Sequence, residues 1–209
     1  MQWSQFISFI ISMLAITNPA GSVAVFLGMT QNKTEQEKRK IALVTTLTIF
    51  IVLVLITWTG IPILEIFGIS LPAFEIAGGL IILLRGLEML HSKETPTSKT
   101  AEELEQQNVR ESIAVVPLGI PIIAGPGAMT NTVIFTREFP EFTHKIYICA
   151  GILFVSLVIG VMLFFSTRIG KIVGESGIKI MTRIMGLLLS AIAMSLMIKG
   201  LQEIFPGWT

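Results

Sequence analysis

The stretch VPLGIPIIAGPGAMT at Val116–Thr130 decides how the chain is read, because its second part has a counterpart near the N-terminus. GPGAMTNTVIF at Gly125–Phe135 aligns with NPAGSVAVF at Asn18–Phe26, placing Pro126 over Pro19 at an offset of 107 residues. A second landmark keeps nearly the same register: EIAGGL at Glu75–Leu80 lies over RIMGLL at Arg183–Leu188 at an offset of 108. A shared offset across two distant landmarks points to an internal repeat, which reorganises the reading of everything else.

Around these landmarks the chain is mostly apolar. Of its 209 residues 52% are hydrophobic and 14% charged, where a soluble domain carries about 25% charge. The mean hydropathy is +0.78. Six apolar stretches can be read, at Phe6–Met29, Ile41–Trp58, Phe74–Leu90, Ile113–Phe135, Ile146–Ser166 and Ile180–Ile198. Each is close to the roughly 20 residues that cross a bilayer core. The expected fold is an all-α polytopic membrane protein of six spanning segments in two three-helix repeats. These are residues 1–90 and 112–209, joined by a cytoplasmic linker at 91–111. Three segments per repeat is an odd number, so the second repeat should be inverted, as in many secondary transporters. Re-entrant hairpins at the two broken segments would change that parity.

Loop charge sets an orientation. Ten Lys and Arg residues fall in the loops after the first, third and fifth segments, against three on the other side, which predicts both termini outside. The N-terminus lacks the basic residue and cleavage site of a removable signal peptide and is expected to be retained. Net charge is only +1 and no basic stripe is present, which excludes a nucleic-acid partner. All 14 acidic residues are glutamate and no phosphate loop occurs, so an ATP-driven pump or other aspartate-based enzyme is not expected. Cys149 is the sole cysteine, and His91 and His144 stand alone, so no metal or other cofactor is expected.

Proline removes a backbone donor and clashes with the preceding turn, so Asn18-Pro19 and Gly125-Pro126 should break the first segment of each repeat, making it a discontinuous helix. Asn is a strong N-cap and proline is favoured at the first helical position, which predicts new half-helices starting at Pro19 and Pro126. Their N–H groups, near Gly21–Ser22 and Gly127–Ala128, would receive a carboxylate. The carbonyls of Ala15–Thr17 and Ile122–Ala124 would receive an ammonium. The candidate substrate-binding set is therefore Thr17, Asn18, Pro19, Gly21 and Ser22 with Gly125, Pro126, Gly127, Thr130 and Asn131. The competing reading is an ordinary pair of kinks repaired by Thr17, Ser22, Thr130 and Asn131 side chains. Glu75 and Arg183 lie inside segments and are candidates for coupling or gating, with H⁺ or Na⁺ as coupling ion. Arg183 is expected to meet Glu88 near the basic face. The alternative for these charges is snorkelling or structural pairing.

NPAG at Asn18–Gly21, FGISLPAFEIAGG at Phe67–Gly79 and VPLGIPIIAGPGAMT at Val116–Thr130 carry a resemblance to the MarC family of bacterial and archaeal inner-membrane proteins, over essentially the full length. The resemblance implies six spans and, from assignments within that family, transport of small neutral amino acids such as glycine, alanine or serine. It also implies a cytoplasmic-membrane location. The expected partners are the lipid bilayer and a small zwitterionic solute, with a homo-oligomer left open. Two other functions stay open: export of another small metabolite or drug, and a non-transporting membrane scaffold whose breaks are packed shut.

Overall fold

The computed structural model describes residues 3–91 and 114–207, and among them every regular element is helical. The expected linker lies, except for His91, outside the described residues. Helix α1 covers Trp3–Thr17 and α2 covers Pro19–Met29, so the first apolar stretch is broken at Asn18. Helix α3, Glu35–Ile66, runs well past the apolar stretch that predicts it. It starts in a capping box, with Thr34 Oγ1 accepting from the Glu37 N–H at 3.3 Å and Glu37 Oε2 accepting from the Thr34 N–H at 2.8 Å. It stops at Gly68, whose φ of 65° sits where a residue with a side chain would be strained; the Ile69 N–H then donates to the Leu64 carbonyl at 2.9 Å.

Helix α4 is Leu71–His91, and α5, Ala114–Ile123, winds as a π-helix. Pro117 and Pro121 sit four apart in α5 and remove two donors from an ordinary helical ladder. Wider turns relieve this, and the Ala124 N–H donates to the Gly119 carbonyl at 2.9 Å. Helix α6 is Pro126–Glu138, α7 is Phe142–Phe164 and α8 is Ser166–Ile204, the last broken at Gly174, where φ is 65° and ψ is 172°.

Among the described residues, four helical stretches are long and apolar enough to cross a membrane: Trp3–Met29, Glu35–Ile66, Phe142–Phe164 and Ser176–Ile204. The two remaining apolar stretches correspond to α4, which carries Glu75, Arg85 and Glu88, and to the interrupted α5 and α6. Isoleucine, leucine and phenylalanine side chains such as Ile11, Leu47, Leu55, Leu84, Phe154 and Leu187 are exposed on the outside of the bundle, where lipid would cover them.

The most extensive helix pairing joins α4 to the long arm of α8, followed by α3 with α7. Both pairs are antiparallel. Pro72 lies beside Gly200 and Gly86 beside Gly186, while Trp58 stacks on Phe142 and Arg39 covers Phe164. Helix α1 crosses α6 antiparallel too, with Phe9 on Phe135 at 5.1 Å and the Asn131 amide donating to Ser12 Oγ at 3.0 Å. Glycines set the closest approaches. A Cβ on Gly86 would stand 2.9 Å from the Gly186 carbonyl oxygen and 3.0 Å from the Ser190 nitrogen. The main core draws on both halves of the sequence, with Phe9, Met13, Ile49 and Leu53 packed among Ile152 and Val155. The halves therefore do not fold as separate cores.

Candidate functional site

The two half-helices begin at Pro19 and Pro126, the positions expected from the sequence, but the two breaks are built differently. At the first, Asn18 takes a left-handed conformation, φ 43° and ψ 74°, and its Oδ1 accepts from the Gly21 N–H at 3.2 Å. Asparagine is among the few residues that tolerate this region. Around it the Asn18 N–H donates to the Leu14 carbonyl, the Ser22 N–H to the Asn18 carbonyl, and Ser22 Oγ to the Thr17 carbonyl at 2.9 Å. Thr17 Oγ1 donates to the Met13 carbonyl at 2.7 Å. At the start of α2 the Gly21 and Ser22 N–H groups thus both find acceptors on Asn18. Two of the four expected side-chain repairs, Thr17 and Ser22, operate here.

The second break is open. Gly125, in an extended conformation, has no side chain to cap α6, and Pro126 has no N–H. The N–H groups of Gly127 and Ala128 belong to the first turn and have no acceptor within the helix. Thr130 and Asn131 do not repair this end, although both are buried. Asn131 ties α6 to Ser12 of α1, and the Thr130 side chain fills the space above Gly78 of α4. Both act in helix contacts, and neither lines the cavities described next.

A cavity of about 210 Å³ lies at the second break, bounded by Gly125, Pro126, Gly127 and Ala128 on one side and by Ile82 and Leu189 on the other. A smaller one of about 40 Å³ lies at the first break, beside Thr17, Asn18, Gly21 and Ser22. Ile16, Arg85 and Ile122 line both, so the two spaces adjoin. The larger has mostly aliphatic walls. The smaller is flanked by Arg85, Lys179 and Arg183, and no described carboxylate lines either. Arg85 and Lys179 were not singled out from the sequence as site residues. Their approach to the breaks comes from the α4–α8 pairing, which no local motif announces.

The remaining charges fall elsewhere. Arg183 does not meet Glu88 as expected, because Glu88 is bonded one turn back along α4 to Arg85 at 3.3 Å. That i, i+3 pairing is local and needs no tertiary contact. Glu75, at the opposite end of α4, is 0% exposed, and neither of its carboxylate oxygens has a hydrogen-bond partner. The Lys199 ammonium of α8 stands 3.6 Å from Glu75 and 3.8 Å from Glu138 of α6, tying three helices together. Glu75 and Arg183 therefore lie toward different ends of the α4–α8 pair.

A bundle of long apolar helices with lipid-facing aliphatic surface, two of its apolar stretches broken at proline beside adjoining cavities, defines a polytopic integral membrane protein. Residues 3–205 match the MarC family of integral membrane proteins, and the chain belongs to that family. It is 35% identical over 205 residues to a UPF0056 membrane protein of Buchnera aphidicola subsp. Acyrthosiphon pisum, covering 98% of this chain and 95% of that one. It is 32% identical over 202 residues to the UPF0056 membrane protein YhcE of Escherichia coli, covering 97% and 94%. It is 34% identical over 195 residues to a UPF0056 membrane protein of Pyrococcus horikoshii, covering 92% of each. Relatives named as membrane proteins thus occur in both bacteria and archaea. No solved structure matches the chain.

Proposed function

We propose that the chain is a secondary transporter with six crossings in two inverted repeats, and that its solute binds at the open break before α6. The observation that carries this reading is the uncapped first turn of α6 facing a cavity of about 210 Å³. Free N–H groups at a helix start suit a carboxylate, and bare backbone inside a membrane protein belongs beside a cavity. The antiparallel pairing of α1 with α6, α3 with α7 and α4 with α8 supports the inverted reading, since each pair joins corresponding segments of the two repeats. The self-capped first break then acts as a scaffold, and the solute is held chiefly by the second.

The solute class is a small neutral amino acid of the glycine, alanine or serine type. Its carboxylate would rest on the Gly127 and Ala128 N–H groups, its short side chain on Ile82 and Leu189, and its ammonium on carbonyls at the end of α5. No covalent step is involved. Glu75, whose burial beside Lys199 supports this reading, is the group proposed to couple transport to H⁺ or Na⁺, with the bacterial or archaeal cytoplasmic membrane as the site of action.

The test is uptake and counterflow of labelled glycine, alanine and serine in vesicles containing the purified chain. A Gly127→Leu variant should abolish both, because a Cβ there already stands 2.9 Å from Ile82 Cγ1 and 3.3 Å from Ile16 Cγ2. Gly207→Ala, which meets nothing within 4 Å, is the matched control. Absence of uptake, counterflow and binding with all three amino acids would sink the solute assignment, and transport unaffected by Gly127→Leu would sink the site.

A further inference from the structure

The smaller cavity combines features that the proposed solute does not use. Lys179 and Arg183 stand one turn apart on α8 and line it together, and Arg85 lines it from α4. Thr17, Asn18 and Thr182 add polar side chains. Glu88 answers Arg85 alone. Among the described side chains, which do not include that of Glu175, no carboxylate lies within 4.0 Å of Lys179 or Arg183. Three cations bordering one small space repel one another, and the positive end of α2 adds to the same field. The space, about 40 Å³, is too narrow for a further side chain but has room for a few oxygen atoms.

We infer that this cavity is an oxyanion site, taking a phosphate group through Arg85, Lys179 and Arg183. The two guanidinium groups offer planar forks that match tetrahedral and carboxylate oxyanions, and Lys179 supplies a point charge. The phosphate could be presented by free inorganic phosphate or by the headgroup of an anionic phospholipid. Basic pockets between membrane helices take such headgroups on the side where positive loops gather. The site adjoins the open break before α6 and shares Arg85 with it, but it uses none of the α6 N–H groups, so it stands whether or not amino acids are carried.

The experiment places the full chain in nanodiscs and measures binding of radiolabelled inorganic phosphate. In phosphatidylcholine discs saturable binding is expected. Arg183→Gln and Lys179→Gln should each weaken it by roughly tenfold, the equivalent of about 1.4 kcal/mol. Lys171→Gln, at an exposed position on α8 away from the cavity, should not change it. Repeating the titration in discs containing phosphatidylglycerol identifies the source. Loss of phosphate binding there assigns the site to the lipid headgroup, and unchanged binding assigns it to the free ion. Should Arg183→Gln fail to fold, Lys179→Gln and Thr182→Val carry the comparison. The inference is overturned if the unmodified chain binds no phosphate in phosphatidylcholine discs, or if the cavity variants bind it as tightly as the unmodified chain. Glycine counterflow in the same preparations is read separately, so its failure removes the transport proposal and leaves this one intact.

Discussion

Replacing Lys199 by methionine should damage the fold far more than replacing Glu75 by glutamine, although the two residues form one ion pair. The asymmetry comes from exposure. Glu75 is 0% exposed, whereas the Lys199 side chain is 43% exposed and has Glu138 as a second partner at 3.8 Å. At 3.6 Å the attraction between Glu75 and Lys199 is roughly 4–5 kcal/mol for an effective dielectric constant of about 20. Much of that offsets the desolvation of the carboxylate. Lys199→Met keeps the length of the side chain but leaves Glu75 with no cation and no hydrogen bond. Orphaning a fully buried charge costs about 3–5 kcal/mol. With water reaching the outer end of this pair, about 3 kcal/mol is expected. Glu75→Gln instead removes the buried charge, and Lys199 keeps Glu138 and water, so the loss should stay below about 1 kcal/mol. Denaturant unfolding of the detergent-solubilised chain, followed by tryptophan fluorescence, gives both values. The double variant should then unfold near Glu75→Gln alone, a coupling of roughly 3 kcal/mol. Equal losses for the two single variants, or strictly additive losses in the double variant, would refute the reasoning.

At the first break, Asn18→Ala should cost about 2–3 kcal/mol, since it loses the cap on Gly21 and leaves an alanine at φ 43°. Asn18→Gly should cost under about 1 kcal/mol, because glycine accepts that backbone; the same unfolding assay ranks the two. Gly86→Leu should destabilise the α4–α8 pairing by about 3 kcal/mol or more, because its Cβ would meet the Gly186 carbonyl and the Ser190 backbone, neither of which can rotate away. Loss of folded yield on size-exclusion chromatography reads that outcome. Thr45→Val should cost about 1–3 kcal/mol, since Thr45 Oγ1 donates to the Ala114 carbonyl at 3.0 Å and the buried carbonyl would lose its donor. Faster proteolysis near the start of α5 is the expected sign.

The elements that sequence reading places well are those with local causes. Proline fixes where α2 and α6 begin; the start of α3 at Glu35 also has a local cause in Thr34 and Glu37, but the apolar stretch alone begins that segment only at Ile41. The difference between the two breaks has an equally local cause. Asn18 carries an oxygen that reaches the Gly21 N–H, while Gly125 carries nothing. Treating both prolines as equivalent hides this, because the repeat alignment stresses what is shared. The π-winding of α5 was legible in principle from Pro117 and Pro121, four apart, but hydrophobicity alone reads that stretch as an ordinary span. The partner of Arg183 was not legible, since the Arg85–Glu88 bond inside α4 competes with any contact across helices.

Antiparallel packing divides charge between the two ends of the α4–α8 pair. Corresponding positions carry opposite charges, Glu75 in one half and Arg183 in the other, and antiparallel packing sends them to different ends of the same interface. Glu75 therefore meets Lys199 beside Glu138, and Arg183 joins Arg85 and Lys179 beside the first break. One end holds a buried carboxylate and the other holds cations around a cavity. Between them the pair packs backbone to backbone at Gly86 and Gly186, so a shift in the charge of either end acts on a rigid contact that both ends share. If Glu75 couples an ion to transport, its effect would reach the broken helices through α4, the element that carries Glu75, packs Gly78 on Thr130 of α6, and presents Arg85 to both cavities.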